Sequence, residues 1–380
     1  MKILIDARMY GLEHSGIGRY LINLIDNLKE IDRENSYIIL LRKKYFDELR
    51  FPENWMKIIV DLRHYTFAEQ FKLPGIINKE KPDLVHFPHF NIPLQFKGPF
   101  VVTIHDTTMH HQGTNATTLP LYKYIFKRIP YKLVFKKAVI NSKKIITPSE
   151  TVKKEVLDYY KVDPEKIAVA YEGFNADYIV EKASSRELET LTKFKAANAD
   201  YFFYVGNAYP HKNLDNVIRG IVDINKNKNG SVRFLIAGSR DIFMERLQKL
   251  IDRLEANDYV ELLGFVRDDE LWVLYKYSLG FVYPSLSEGF GLQGLEAISS
   301  GTILLASNIP VFQEIYGSHA FYFNPQDVSS ISGTMYSVLK MEREDKYKYL
   351  EIAQEYIKKY SWQKMAKETL EVYRQVLKEK

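Results

Sequence analysis

Short apolar runs rich in β-branched and aromatic residues alternate with longer stretches of helical period along most of the chain. The runs at 2–6, 37–42, 57–62, 84–88, 100–106, 144–149 and 167–173 predict seven strands in the first half. Those at 201–207, 232–238, 259–265, 279–285, 302–307 and 320–325 predict six more in the second. Most are continuously apolar rather than alternating, as expected of parallel strands covered by helices on both faces. Between the first two runs, Tyr20, Leu21, Leu24, Ile25, Leu28 and Ile31 recur at helical spacing. A polar, weakly periodic segment at 174–200 separates the halves. Residues 362–380 predict a closing helix with Trp362, Met365, Ala366, Tyr373, Val376 and Leu377 on one face and Ser361 as N-cap. The alternation implies an α/β chain of two doubly wound parallel-sheet units. Ligands of such sheets bind at the carboxyl ends of strands, so the strand-end loops are the places to search.

Composition narrows this picture. The 380 residues are 46% apolar and 27% charged, enough material for two full cores and wrong for disorder. No apolar run approaches the ~18–20 residues of a membrane span. Lys2, Asp6 and Arg8 come too early for the apolar core of a signal peptide. The chain has no cysteine, which excludes disulfides, thiol nucleophiles and cysteine-bound metals and fits a reducing cytoplasm.

The net charge of +5 is unevenly placed: residues 101–150 alone hold eight basic and two acidic side chains. Lys123, Lys127, Arg128, Lys132, Lys136, Lys137, Lys143 and Lys144 occupy 121–144 with no acidic residue among them. Tyr122, Ile125, Phe126, Ile129 and Leu133 follow helical spacing there; Pro130 predicts a break or kink, and Tyr131, Val134, Phe135 and Ala138 repeat the spacing beyond it. Such a segment suits an anionic membrane surface, or else a helix facing its own core with a solvated basic side. No RNA- or DNA-binding motif accompanies it, so nucleic acid is not expected as a partner.

The segment richest in chemistry is Tyr283-Pro-Ser-Leu-Ser-Glu288-Gly289-Phe290-Gly291-Leu292-Gln293-Gly294-Leu295-Glu296-Ala297. It follows a strand and opens a helix. Gly289, Gly291 and Gly294 match the G-x-G-x-x-G dinucleotide fingerprint, but the next strand ends in Ser307-Asn308 where that fingerprint wants an acid. An NAD(P)-binding oxidoreductase thereby loses half its support. Glycines still let backbone N–H groups reach a phosphate, with the helix's positive end behind them. Two carboxylates around an anion site repel the anion, so Glu288 and Glu296 make sense as acceptors for hydroxyls on either side of a diphosphate.

Pro284-Ser285-x-x-Glu288-Gly-Phe-Gly-Leu-x-x-Leu-Glu296-Ala resembles the E-x7-E motif of glycosyltransferase family 4, the group 1 glycosyltransferases of GT-B fold. Tyr204-Val-Gly206-Asn-Ala-Tyr-Pro-His-Lys212-Asn213-Leu resembles the family's phosphate-binding loop, and Phe234–Gly238, Leu263–Val266, Thr147–Glu150 and Tyr171-Glu172-Gly173 resemble further family segments. There are departures: Gln293 and Ile303 stand where proline is frequent, His211 where arginine is, and Ser300 where cysteine is.

The resemblance implies two Rossmann-like domains facing across a cleft. Residues 1–175 would form the acceptor side, joined by the C-terminal helix 362–380, and 176–361 the donor side. It implies a retaining, metal-independent hexosyltransferase that uses a nucleotide diphosphate sugar, GDP- or UDP-linked, as donor substrate and needs no cofactor. Glu288, Lys212 and His105 would be catalytic: Lys212 on the leaving diphosphate, Glu288 on the sugar hydroxyls, His105 orienting the sugar. Glu296 would hold the ribose, with Gly289, Phe290, Gly291, Leu292, Gly206, Gly16 and Gly18 around the donor. Asn213 reads as N-cap of the helix after Lys212. The His105-Asp106 and Tyr171-Glu172-Gly173 variants look most like mannosyltransferases. The acceptor would be a carbohydrate or a lipid-linked sugar in polysaccharide, lipopolysaccharide or glycolipid synthesis, reached at the inner face of the cell membrane through the basic segment. A catalytically silent membrane-binding scaffold is the remaining alternative. His86, His89, His105, Asp106, His110 and His111 form a histidine-rich set, but they lack H-E-x-x-H spacing, the chain has no Asp-x-Asp triplet, and no metal site is expected.

Overall fold

The computed structural model describes residues 1–111, 121–174, 187–197, 199–228 and 231–378, without the side chains of 111 and 121–127. The chain divides into two compact units, Met1–Gly173 with Tyr360–Lys380, and Phe174–Lys359. Each apolar run forms a strand.

In the first unit these are β1 (Lys2–Asp6), β2 (Ser36–Leu41), β3 (Trp55–Ile59), β4 (Leu84–Phe87), β5 (Phe100–Thr103), β6 (Lys144–Thr147) and β7 (Ile167–Val169). They form one parallel sheet in the order β3-β2-β1-β4-β5-β6-β7. The chain winds outward from β1 to β3, then restarts at β4 on the other side of β1. That reversal is the switch point where loops diverge and ligands of open sheets bind. Helices α1 (Ser15–Ile31), α2 (Phe67–Glu80), α3 (Leu121–Asn141) and α4 (Glu150–Tyr160) cover it with the C-terminal helix Trp362–Lys378. Leu73 and Ile77 of α2, Val134, Phe135 and Ala138 of α3, and Val152 and Val156 of α4 share one core with Leu4, Ile38, Val85 and Phe87 of the strands. Coverage on both faces is why Ile3, Leu4 and Ile5 are all fully buried, and why the strand reads as unbroken apolar sequence.

In the second unit the strands are β8 (Tyr201–Val205), β9 (Arg233–Ala237), β10 (Val260–Gly264), β11 (Gly280–Tyr283), β12 (Leu304–Ser307) and β13 (Phe321–Phe323). Their order is β10-β9-β8-β11-β12-β13, again all parallel, with the switch point between β8 and β11. Helix α5 (Leu214–Asn227) follows β8 and helix α6 (Leu292–Ser299) follows β11. Val217, Ile218, Ile221 and Ile224 of α5 pack on Phe202, Phe234 and Ile236 of the sheet.

The closing helix of the first unit, α7 (Trp362–Lys378), packs against α1. Its expected cap forms: Ser361 Oγ accepts the Lys364 N–H at 3.1 Å. A Cβ at Gly173 would stand 2.2 Å from the Trp362 backbone nitrogen, so the chain returns at a point where only glycine fits. Of the break or kink expected at Pro130, the break does not occur: Pro130 lies inside a continuous helix, Leu121–Asn141.

Candidate functional site

The loops leaving β8 and β11 meet across the switch point of the second unit. The Leu286 N–H donates to the His211 carbonyl at 2.7 Å, tying one loop to the other. Lys212 closes a short 3-10 turn, Pro210–Lys212, just before α5. Its Nζ lies 2.5 Å from Glu288 Oε1, with both side chains largely buried. Ser285 Oγ donates to the same oxygen at 2.7 Å. Burial alone would push the Glu288 carboxyl up; the charge and hydrogen bond of Lys212, the Ser285 hydroxyl and the charge of His211 hold it below the ordinary value. Glu288 is thus a carboxylate, and its charge together with burial pushes the Tyr204 and Tyr283 hydroxyls well above theirs.

Neither flanking helix has a side-chain cap. Asn213 does occupy the N-cap position of α5, but it takes a left-handed conformation (φ 57°) and makes no capping bond. Its amide instead donates to the Pro325 carbonyl at 2.7 Å, which corrects the expected capping role. Gly291 (φ 118°) precedes α6, also without a side-chain cap. Both helices thus begin, beside the switch point, without a side-chain cap, an arrangement that suits an anion.

The glycines of the β11 loop serve packing more directly than phosphate approach. A Cβ at Gly291 would come within 2.3 Å of the Tyr316 hydroxyl, and one at Gly294 within 2.2 Å. That hydroxyl donates to the Gly291 carbonyl at 2.5 Å. Two of the three glycines that matched a dinucleotide fingerprint are thus required by one buried tyrosine. Phe290 and Leu292, the chain neighbours of Gly291, are buried. Gly206 ends β8 at φ 150°, where a Cβ would crowd the Tyr204 hydroxyl at 2.7 Å. Glu296 is half-buried on the second turn of α6, and its carbonyl accepts Ser300 Oγ at 2.6 Å. The Gln293 departure also has a partner: Tyr283 Oη donates to Gln293 Oε1 at 2.7 Å, a bond proline could not accept.

In the first unit His105 follows β5. Its Nε2 lies 2.9 Å from the Pro88 carbonyl and its Nδ1 3.2 Å from Glu172 Oε1. Tyr20 of α1 meets the ring edge-on, centroids 4.8 Å apart. The other histidines are scattered among separate partners. His86 bonds Tyr373 Oη at 2.6 Å and Thr103 Oγ1 at 2.8 Å. His110 bonds Tyr160 and Tyr131. Burial and the neighbouring His105 push both His86 and His89 down to about 3. Among the described residues no group of three or more metal-binding side chains comes together. Gly16 has open space around its Cβ position, whereas a Cβ at Gly18 would stand 1.8 Å from the Gly11 carbonyl. Gly18 therefore serves the packing of α1, and Gly16 alone is open to a ligand.

Sequence reasoning missed the centre of this unit's switch point. Arg8, fully buried after β1, donates to Asp6 and to Glu69 of α2 at 2.7 and 2.8 Å. Asn91, from the loop after β4, donates to both Glu69 oxygens, and His64 Nδ1 lies 3.3 Å from one of them. Burial opposes ionisation of Glu69, yet His64, Arg8 and Asn91 bring it down to about 2. The available signal was a pair of charges, Asp6 and Arg8, at the end of an otherwise apolar strand.

The basic helix α3 is narrower as a patch than its composition suggests. Lys132 and Lys136 are exposed, alternating with Ile129, Leu133 and Ile140 at 57%, 55% and 45% exposure. Ile129 and Leu133 thus lie on the outer face. Lys137 is turned inward onto the Leu94 carbonyl, and Arg128 donates to the His110 carbonyl at 3.4 Å, so neither is a free surface cation. The side chains of Lys123 and Lys127 fall outside the described residues. No described helix is long and apolar enough to cross a membrane.

Comparison with known proteins gives one consistent answer for both units. Residues 189–360 match the family model described as Glycosyl transferases group 1, and residues 14–178 that described as Glycosyltransferase Family 4. The chain is 28% identical over 339 residues to the O-antigen chain mannosyltransferase RfbU of Salmonella typhimurium, covering 86% of this chain and 88% of that protein. It is 24% identical over 393 residues to the O-antigen chain mannosyltransferase B of Escherichia coli, covering 98% and 100%. Among solved structures, a glycosyltransferase from Rickettsia africae superposes at a TM-score of 0.73 with 20% identity, covering 100% of this chain and 99% of that one. Anabaena Alr3699/HepE, solved in complex with UDP and glucose, does so at 0.73 with 16% identity, covering 99% and 100%.

Proposed function

We propose that this chain, which belongs to the family 4, group 1 glycosyltransferases and has their GT-B fold, transfers mannose from a nucleotide diphosphate sugar to an acceptor hydroxyl with retention of configuration. The observation that carries the reading is the Lys212–Glu288 pair at the β8/β11 switch point, beneath two uncapped helix starts. An ammonium has three protons; one goes to Glu288, which leaves two for the leaving diphosphate. Both protein contacts to Glu288 fall on Oε1, so Oε2 is the oxygen left for sugar hydroxyls. Charge developing on the departing diphosphate would be met by Lys212 and the first-turn N–H groups, without a divalent cation. Glu296, about one turn further along α6, would take the ribose hydroxyls. The likeness to O-antigen mannosyltransferases supports mannose as the sugar and a surface polysaccharide as the product class.

The acceptor of such a pathway is lipid-linked in this reading. The outer face of α3, with Lys132 and Lys136 among exposed Ile129, Leu133 and Ile140, would dock on an anionic membrane surface. The nicotinamide reading has no comparable support, because Tyr316 lies against two of its three glycines, Gly291 and Gly294.

Thermal shift with a panel of UDP-, GDP- and ADP-sugars tests the donor. Stabilisation by a GDP-sugar, with GDP release on transfer to acceptor in the presence of EDTA, is the expected result. A rise in melting temperature with NAD(P)H alone, or no rise with any of the nucleotides, would overturn it.

A further inference from the structure

His105 has a hydrogen-bond acceptor on each ring nitrogen. The Pro88 carbonyl can only accept, so the 2.9 Å contact requires a proton on Nε2. The Glu172 carboxylate, 3.2 Å from Nδ1, also accepts when ionised. A neutral imidazole has a single N–H and cannot satisfy both. Both contacts are satisfied together when the ring carries a proton on each nitrogen, an imidazolium against a carboxylate.

The surroundings favour that arrangement. Glu172 is 6% exposed, and a buried carboxylate needs a cation. The other titratable groups facing the ring supply no competing negative charge. Asp106, next in sequence, turns its carboxylate to the Thr108 amide at 2.8 Å. Tyr20 of α1 shares its hydroxyl with Thr103 at 3.0 Å. His86 and His89, from β4 and the loop after it, are neutral. Glu172 itself is fixed by its neighbour: Gly173 lies directly against the Ser361–Trp362 backbone where α7 begins. The C-terminal helix thus holds Glu172, and Glu172 holds His105.

We propose that Glu172 is a positioning residue for the transfer reaction, holding His105 as an imidazolium with its ring fixed between Pro88 and Glu172. His105 then serves as a fixed cation and not as a general base. The proposal rests on the reading that His105 serves the transfer, and its experiment separates the two.

The full chain, labelled with ¹⁵N-histidine, gives the protonation state of each ring nitrogen by NMR, and the signal missing in His105→Gln identifies His105. At pH 7.5 the wild-type ring is expected to carry protons on both nitrogens. In Glu172→Gln, where the amide can donate to Nδ1, the ring is expected to become the neutral Nε2–H tautomer. Turnover of that variant should fall about tenfold to a hundredfold at unchanged donor KM. Its kcat should also decline with rising pH in a range where the wild type is flat. Glu172→Asp, which keeps the charge, should recover part of the doubly protonated signal. A neutral wild-type ring, or a ring unchanged by Glu172→Gln, overturns the proposal. Wild-type turnover by His105→Gln would instead remove the catalytic reading of His105 beneath it.

Discussion

Lys212 and Glu288 show how a site residue can answer two demands at once. Each is the other's counter-charge, and each still has hydrogen-bonding capacity left for a ligand. Lys212→Ala is expected to lower kcat by ~10²–10³ through loss of one preorganised donor. It should also lower the melting temperature, because buried Glu288 loses its lysine counter-charge and keeps the Ser285 hydroxyl and the nearby His211. A folded Lys212→Ala enzyme with wild-type turnover would remove the lysine from the chemistry. Glu69 carries the equivalent argument in the first unit, for stability. Its folded value of about 2 lies below the ordinary 4.5, so its contribution is complete above pH 4.5 and lost as pH falls from 4.5 to 2. Urea midpoints at pH 6 and pH 3 should show the wild type weakening between them. Glu69→Gln should already be weaker at pH 6 by on the order of 3 kcal/mol and nearly insensitive to the change. An equal pH response in both would place the acid sensitivity elsewhere. Lys212 and Glu288 were legible because their neighbours form long motif strings. The Tyr171-Glu172-Gly173 string was legible too, but the pairings of Glu172 with His105 and of Glu69 with Arg8 were not, since they join residues 67 and 61 positions apart and spacing does not encode such a meeting.

At the scale of elements, the apolar runs located every strand but overran most carboxyl ends. The run 100–106 continues to Asp106, while β5 stops at Thr103. Ile104 keeps one ladder bond, to the Ile146 carbonyl, and is buried; His105 then leaves the sheet for Pro88 and Glu172. Apolar continuity records burial, and burial outlasts pairing where a strand turns into a site loop. Helix α3 shows the converse limit. Its period left a core face and a membrane face both open; Val134, Phe135 and Ala138 lie in the core, whereas Ile129 and Leu133 belong to the opposite face. Nor could periodicity reveal that Lys137 reaches a carbonyl on another segment. The membrane reading is sharpened accordingly: Lys132→Glu with Lys136→Glu should abolish co-sedimentation with vesicles containing anionic lipid and leave the nucleotide thermal shift intact. Unchanged co-sedimentation, or none by the wild type, would make α3 a solvated face. Lys137→Glu is a poor substitute, because it would also break the contact with Leu94.

At the scale of the whole molecule, the chain crosses from one unit to the other and then returns. The return is substantial: Trp362, Met365, Ala366, Leu370, Tyr373, Val376 and Leu377 of α7 are all buried, in a unit whose other residues end at Gly173. Tyr373 also supplies the hydroxyl that His86 needs inside the sheet, at 2.6 Å. Without it, a fully buried imidazole nitrogen would lack a partner, at a cost of roughly 1–3 kcal/mol. The loss of these buried apolar side chains, with Val372 beside them, would cost several times more. Deleting residues 361–380 should therefore strip amide-exchange protection from α1, β1 and β4. Protection in β8, β9 and β11 should survive, because the second unit has a separate core. Nucleotide stabilisation should survive with it, since Lys212, Glu288 and both uncapped helices lie within Phe174–Lys359. Transfer should be lost even where the donor still binds, because Glu172 and His105 are held next to the deleted turn. Unaltered protection in the first unit after the deletion would mean that α7 is an attachment rather than part of its core.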